Sequence, residues 1–203
     1  IARDYVGLDP LLIAPLKSSV VFLADLTRSL PIPHTLDVIE LAPYSPDQSS
    51  GDQGGGIRLL KDVDAPIEGR HVLIVEDVVD TGLTLHFLVK TLGLHEPATL
   101  HAVTLLDRPY RRLVDDIPLR YIGFTVPDEL FAGYGLGLDE RWRAFPDLHH
   151  VVPLELPRAA TEAALYDTIT FVTLAREPEE VEASFPGVAV LDARAATPIV
   201  QAR

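Results

Sequence analysis

The sequence predicts an α/β fold, with a mostly parallel central sheet flanked by helices and a small α+β extension at the C-terminus. Three observations predict it. His71-Val72-Leu73-Ile74-Val75 is a continuous apolar, β-branched run, too short for a helix, as expected of a central strand buried on both faces. Leu85, Leu88, Val89 and Leu92 then recur at i, i+3, i+4 and i+7, the period of a helix with one apolar stripe. Further apolar runs at 98–106 and 121–126 follow at distances that fit the helical crossovers parallel strands require.

The elements before the central strand follow the same alternation. Residues 10–14 form a short apolar run that reads as a first strand, and Lys17-Ser18-Ser19 opens a helix whose Phe22, Leu26 and Leu30 recur until Pro31 and Pro33 stop it. Residues 36–41 read as a second strand. Residues 43–56 carry no periodicity and many turn formers, so they read as a long loop, a connector or a functional lid. After Val75, residues 76–82 read as an acidic turn, and Gly93 sits where a helix end wants a left-handed residue. The later strands end at Asp107-Arg108-Pro109 and at Val126-Pro127. Arg111-Arg112 reads as a solvated face and His149-His150 as a linker or surface pair. Beyond them, 159–166 reads as a short helix, and 167–174 and 188–191 read as strands.

Composition bounds the chemistry. At 203 residues, 47% hydrophobic and 23% charged, the chain has the size of one domain with an appendage. No apolar run approaches a membrane span and the start lacks a signal peptide, so the expected location is cytoplasmic, with no membrane partner. With no cysteine, thiol nucleophiles, disulfides and cysteine-ligated zinc are excluded. A chain that begins at Ile and has no methionine is expected to lack its first segment. The net charge of −13 is spread over both parts, 13 basic against 22 acidic residues up to Leu148 and 4 against 8 beyond. Non-specific nucleic-acid binding is therefore not expected. An anionic ligand would have to be held by backbone amides, a few placed cations or a divalent metal.

The residues at the end of the central strand meet that requirement. Glu76-Asp77-Val78-Val79-Asp80-Thr81-Gly82-Leu83-Thr84 joins paired carboxylates, a turn at a helix N-terminus and two threonine hydroxyls. Free amides at a helix start, with Gly82 allowing close approach, suit a phosphate. The acidic pair suits a sugar diol or a divalent cation. A phosphorylated ribose satisfies both halves. Blander readings exist for each part, since Asp80 is also a plausible helix cap. A receiver domain would need a phospho-acceptor Asp on a later strand, which neither 98–106 nor 121–126 supplies.

Residues 72–85, Val-Leu-Ile-Val-Glu-Asp-Val-Val-Asp-Thr-Gly-Leu-Thr-Leu, resemble the phosphoribosyl-pyrophosphate (PRPP) signature of the type I phosphoribosyltransferases, on their hypoxanthine/guanine branch. Other segments of residues 1–148 fall in order around it, among them Leu16-Lys17, Leu105-Leu106-Asp107-Arg108-Pro109 and Pro127-Asp128-Glu129-Leu130 through to Arg143. The resemblance implies the type I fold with a small hood, a catalytic core over 1–148, and an extension of unknown role over 149–203. It also implies transfer of phosphoribosyl from PRPP to a 6-oxopurine, with magnesium as cofactor and a homo-oligomer, dimer or tetramer, as the working form. By the same resemblance Asp80 is the catalytic base. Lys17, Ser18, Glu76, Asp77, Asp80, Thr81, Gly82, Leu83, Thr84 and Arg143 bind PRPP, with Glu76 and Asp77 at the metal. Arg108, Leu130 and Phe131 bind the base, and Tyr44 belongs to a lid over the site.

The chain departs from the family pattern mainly on the base side. Arg108 stands where the family has Lys, Leu130 where it has a stacking aromatic, and Gly137 where an Asp ligates a second magnesium, with Asp139 two residues on. Two alternatives follow from these departures: a sensor that binds PRPP or nucleotide without turnover, and a phosphoribosyltransferase with another base preference.

Overall fold

The computed structural model describes residues 1–43, 57–137 and 141–153 and the strands Ile169–Thr173 and Ala189–Asp192. Two compact units divide the chain, Ile1–Asp128 and Glu129–Arg203. The first holds six strands: β1 (Leu11–Leu16), β2 (Thr35–Pro43), β3 (Ile57–Lys61), β4 (His71–Val79), β5 (Thr99–Asp107) and β6 (Leu119–Thr125). They form one sheet in the order β3-β2-β1-β4-β5-β6. Every pair is parallel except β2 with β3.

The period of two in a strand explains why this sheet is covered twice. Helix α1 (Ala2–Tyr5) precedes β1, α2 (Ser19–Ser29) follows β1, and α3 (Leu83–Gly93) follows β4. Leu11 and Ile13 of β1 and Val72 and Ile74 of β4 pack with Leu85, Leu88 and Leu92 of α3. Their neighbours Leu12, Ala14, Leu73 and Val75 point the other way and pack with Leu23 of α2. The two helices thus lie on opposite faces of the sheet, and the chain runs outward in opposite directions from β1 and β4. In open parallel sheets this switch point is where a crevice opens beyond the strand ends.

The second unit contains β7 (Leu130–Ala132), β8 (His149–Pro153), β9 (Ile169–Thr173) and β10 (Ala189–Asp192), in the order β10-β9-β8-β7. β7 with β8 and β8 with β9 are antiparallel, and β9 with β10 is parallel.

Several expectations need correction. The central strand continues four residues past Val75, so Glu76 and Asp77 lie inside β4 and not in a turn after it. Two carboxylates within the strand break the apolar pattern, so the apolar run ends before the strand does. Gly93 is the last residue of α3 without a positive φ. The left-handed residues are Gly82 at the start of the helix, at φ 83°, and Glu96 after it, at φ 54°. β3, β7 and β8 lacked the continuous apolar signal. His149 is no surface residue, being 1% exposed. The helix expected over 159–166 lies outside the described residues. Among the described residues no helix is long and apolar enough to cross a membrane.

Candidate active site

At this switch point β4 carries Glu76 and Asp77, which are 5% and 4% exposed. The chain leaving β1 reaches them through Ser19, the first residue of α2. Its hydroxyl donates to Asp77 Oδ1 at 3.0 Å, lies 3.5 Å from Glu76 Oε2, and accepts the Asp77 N–H at 3.2 Å. Ser18, the expected ligand, is the N-cap without a side-chain cap bond, and Lys17 is exposed beside it, after a cis Leu16–Lys17 peptide. Ser19 went unassigned because a serine in a first helical turn carries no signal of its own. Its role depends on β4 standing next to β1.

Burial, reinforced by the Asp77 charge, pushes the Glu76 carboxyl well above the usual carboxylate range, against a smaller opposing effect of the Ser19 hydroxyl. Asp77 Oδ2 is buried and has no hydrogen-bond partner among the described residues. A buried, unpaired carboxylate oxygen is costly unless something arrives to meet it.

Past Val79 the chain turns through Asp80, Thr81 and Gly82 into α3. Gly82 is required there twice over. Its φ is 83°, and a Cβ on it would stand 2.9 Å from Val114 O and 3.2 Å from Arg112 Cδ. The Leu83 N–H donates to Thr81 Oγ1 at 3.3 Å, while Leu83 and Thr84 are exposed. The first turn of α3 leaves N–H groups without intrahelical acceptors; Thr81 Oγ1 takes that of Leu83, and Gly82 at the cap has no side chain to take another. Amides at a glycine-opened helix start are the kind of backbone that suits an anion.

The segment after β5 supports that turn. Leu113 and Val114 donate their N–H groups to Thr81 O at 2.9 and 3.2 Å, and the Arg108 N–H donates to Val79 O at 3.0 Å. Arg112, expected in solvent, is 10% exposed and pairs with Asp107 beneath Gly82. Arg108 is also buried. Its NH1 stands 3.3 Å from Asp80 Oδ2 and its NH2 2.7 Å from Asp128 Oδ1. Asp80 is about one-third exposed, with Oδ1 covered. Its accessible face therefore lies beside a fixed guanidinium.

Leu130, Phe131 and Arg143 belong to the second unit. Leu130 is 38% exposed, whereas Phe131 lies against His150 with ring centroids 5.7 Å apart. Successive strand residues point to opposite faces, so a one-residue shift from Leu130 to Phe131 changes the face presented. Arg143 NH1 donates to Gly135 O at 3.0 Å. A Cβ on Gly137 would stand 2.6 Å from both Arg141 O and Arg143 Cγ, so this backbone has no room for an Asp there. Tyr44 and Asp139 lie outside the described residues. Among the described residues no group of three or more His, Cys, Asp or Glu could hold a metal.

The family model described as the phosphoribosyl transferase domain matches residues 1–137. The hypoxanthine phosphoribosyltransferase of Salmonella typhimurium is 40% identical over 149 residues, 73% of this chain and 82% of that one. A crystal structure of a hypoxanthine-guanine phosphoribosyltransferase from Bacillus anthracis superposes with a TM-score of 0.66 at 43% identity, covering 74% of this chain and 84% of that one. The Trypanosoma cruzi hypoxanthine phosphoribosyltransferase in complex with the product IMP gives a TM-score of 0.64 at 39% identity, over 72% and 81%.

Proposed function

The chain belongs to the hypoxanthine-guanine phosphoribosyltransferases of the phosphoribosyl transferase domain family, and from that premise we propose that it transfers the 5-phosphoribosyl group of PRPP to hypoxanthine, with guanine as a second base, releasing pyrophosphate in purine salvage. The observation that supports it most is a juxtaposition at neighbouring strand ends. A buried carboxylate pair, a glycine-opened helix start and an Asp80–Arg108 pair offer partners for the diol, the phosphate and the base of the reactants.

Residues 80–84 hold the 5-phosphate through first-turn amides and the Thr81 and Thr84 hydroxyls, so the negative chain needs no cluster of cations for it. Glu76 and Asp77 take the ribose hydroxyls. In the reacting complex the C1–pyrophosphate bond breaks with positive charge developing on the ribose ring, and the Asp77 carboxylate stabilises that charge. Asp80 accepts the N7 proton of the purine as N9 attacks C1. Arg108, next to it, donates to the 6-oxygen, so one edge of a 6-oxopurine meets an acceptor and a donor side by side. Lys17 and Arg143 face pyrophosphate in this reading, and Leu130 and Phe131 face the base. The catalytic core is residues 1–148, working in the cytoplasm as a homo-oligomer.

The carboxylate pair fits magnesium: the donors are hard oxygens, Asp77 Oδ2 lacks a partner among the described residues, and an ion that keeps its waters needs only one or two protein carboxylates. Asp77 and Glu76 would hold it, and its charge would assist departure of pyrophosphate and favour the ionised form of Glu76.

Incubating the full chain with PRPP, magnesium and each of hypoxanthine, guanine, xanthine and adenine tests the reading. Nucleotide is expected from hypoxanthine. No nucleotide from any base would sink it, and stabilisation by PRPP without turnover would favour the sensor instead.

A further inference from the structure

We propose that Asp128 and Arg111 are positioning residues that aim Arg108 at the 6-oxygen of the purine beside Asp80, an inference that rests on the phosphoribosyltransferase reading of the site. Four charged side chains form a closed ring at the end of β5. Arg108 reaches Asp80 Oδ2 through NH1 at 3.3 Å and Asp128 Oδ1 through NH2 at 2.7 Å. Arg111 binds the same Asp128 oxygen through Nε, and its NH1 stands 3.8 Å from Asp80 Oδ2. The Arg108 N–H is tied to Val79 O and the Arg111 N–H to Arg108 O at 3.1 Å, so the turn carrying both arginines is fixed as well.

The chemistry of the guanidinium explains why such a ring is needed here. A lysine ammonium is a point charge on a flexible stem, and one acceptor suffices to place it. An arginine has a rigid planar fork. With Asp80 as its only partner it would close both amino groups onto that carboxylate and occupy the proposed base. Asp128 takes the second amino group, leaving NH1 alone at the edge of Asp80, where it can also reach a carbonyl oxygen of the substrate. Arg111 supplies the matching positive charge, since its hydrogen bond and charge, with Arg108 adding to them, hold the Asp128 carboxyl below the usual carboxylate range. Two arginines and two aspartates sum to zero, so the ring keeps its geometry inside a chain of net charge −13.

The test is steady-state kinetics of the full chain with Asp128→Asn, Arg111→Gln and Arg111→Lys, measuring KM for hypoxanthine, KM for PRPP and the preference for hypoxanthine over adenine. Asp128→Asn is expected to raise the hypoxanthine KM about tenfold, the loss of one charge-assisted hydrogen bond, and to narrow the preference, while the PRPP KM stays within about twofold. Arg111→Gln should show the same split in smaller measure, Arg111→Lys should restore it, and Asp128→Asn combined with Arg111→Gln should be little worse than Asp128→Asn alone. An equal rise in both KM values, or an unchanged hypoxanthine KM, overturns the inference while leaving the reaction in place. A wild-type protein that makes no nucleotide overturns the reading of the site, and this inference with it.

Discussion

The turn at residues 80–84 and the turn at residues 108–112 stand at the ends of neighbouring strands, yet they are built from different materials. The first is built mainly on backbone: a left-handed Gly82 that opens the helix start, flanked by the hydroxyls of Thr81 and Thr84. The second uses side chains, with Arg108, Arg111 and Arg112 each paired to an aspartate. Backbone recognition is set by φ, ψ and the helix start, and it tolerates little change of sequence. Side-chain recognition depends on which partners the fold brings up, and a Lys can become an Arg if an acceptor such as Asp128 is there. Of the departures from the family pattern, the Arg108 that stands where the family has Lys falls in the second turn, where Asp128 is at hand to pair with it.

Substitutions can break or sharpen that contrast. The largest effect is expected at Asp80, which touches both turns. Asp80→Asn should lower kcat by roughly 10²-fold or more, the range of a lost general base, with PRPP affinity by calorimetry changed far less; equal loss of both would argue against a base role. Next comes Gly82→Ala. The positive φ and the 2.9 Å approach of Val114 O make it a backbone defect, costing about 1–3 kcal/mol of strain. It should raise the PRPP KM about tenfold with little effect on the hypoxanthine KM of the PRPP-saturated enzyme. Arg108→Lys should do the reverse and more mildly, moving the hypoxanthine KM by roughly threefold and leaving the PRPP KM in place. If both parameters moved together in either variant, the division between the turns would be wrong.

The smallest effect is expected outside both turns. Tyr121 donates to Asp4 at 2.8 Å, and burial, with that hydrogen bond adding to it, pushes its phenol up to about 12. A raised folded-state value means that the contribution is fully present below the ordinary value of 10 and is lost as pH rises from 10 through 12. Tyr121→Phe should remove that alkaline loss in a pH-dependent thermal melt. Neither KM should change.

How much was legible varied with the kind of signal. The parallel sheet, α3 and the glycine-opened turn before it are legible because each is a local pattern: an apolar run, a period of 3.6 and a glycine before a helix. The acidic pair is legible but its setting is not, because charged residues inside a strand look like the end of that strand. His149 and Arg112 were assigned to the surface for the same reason. Polar residues are mostly exposed, and burial is decided by partners distant in sequence. Ser19 could not be singled out, since its acceptors lie 57 and 58 residues away.

The sequence by itself determined the α/β class, the position of the switch-point strand and the residue types available for phosphate, diol and proton transfer, because periodicity and backbone propensity act over a few residues. The tertiary structure alone decided which of those residues meet. It brought Ser19 to Asp77, seated Arg112 beneath Gly82, and closed Asp80, Arg108, Asp128 and Arg111 into one ring. Such pairings depend on strand order, and strand order follows from how the two apolar faces of the sheet are covered by helices that are separate in the chain.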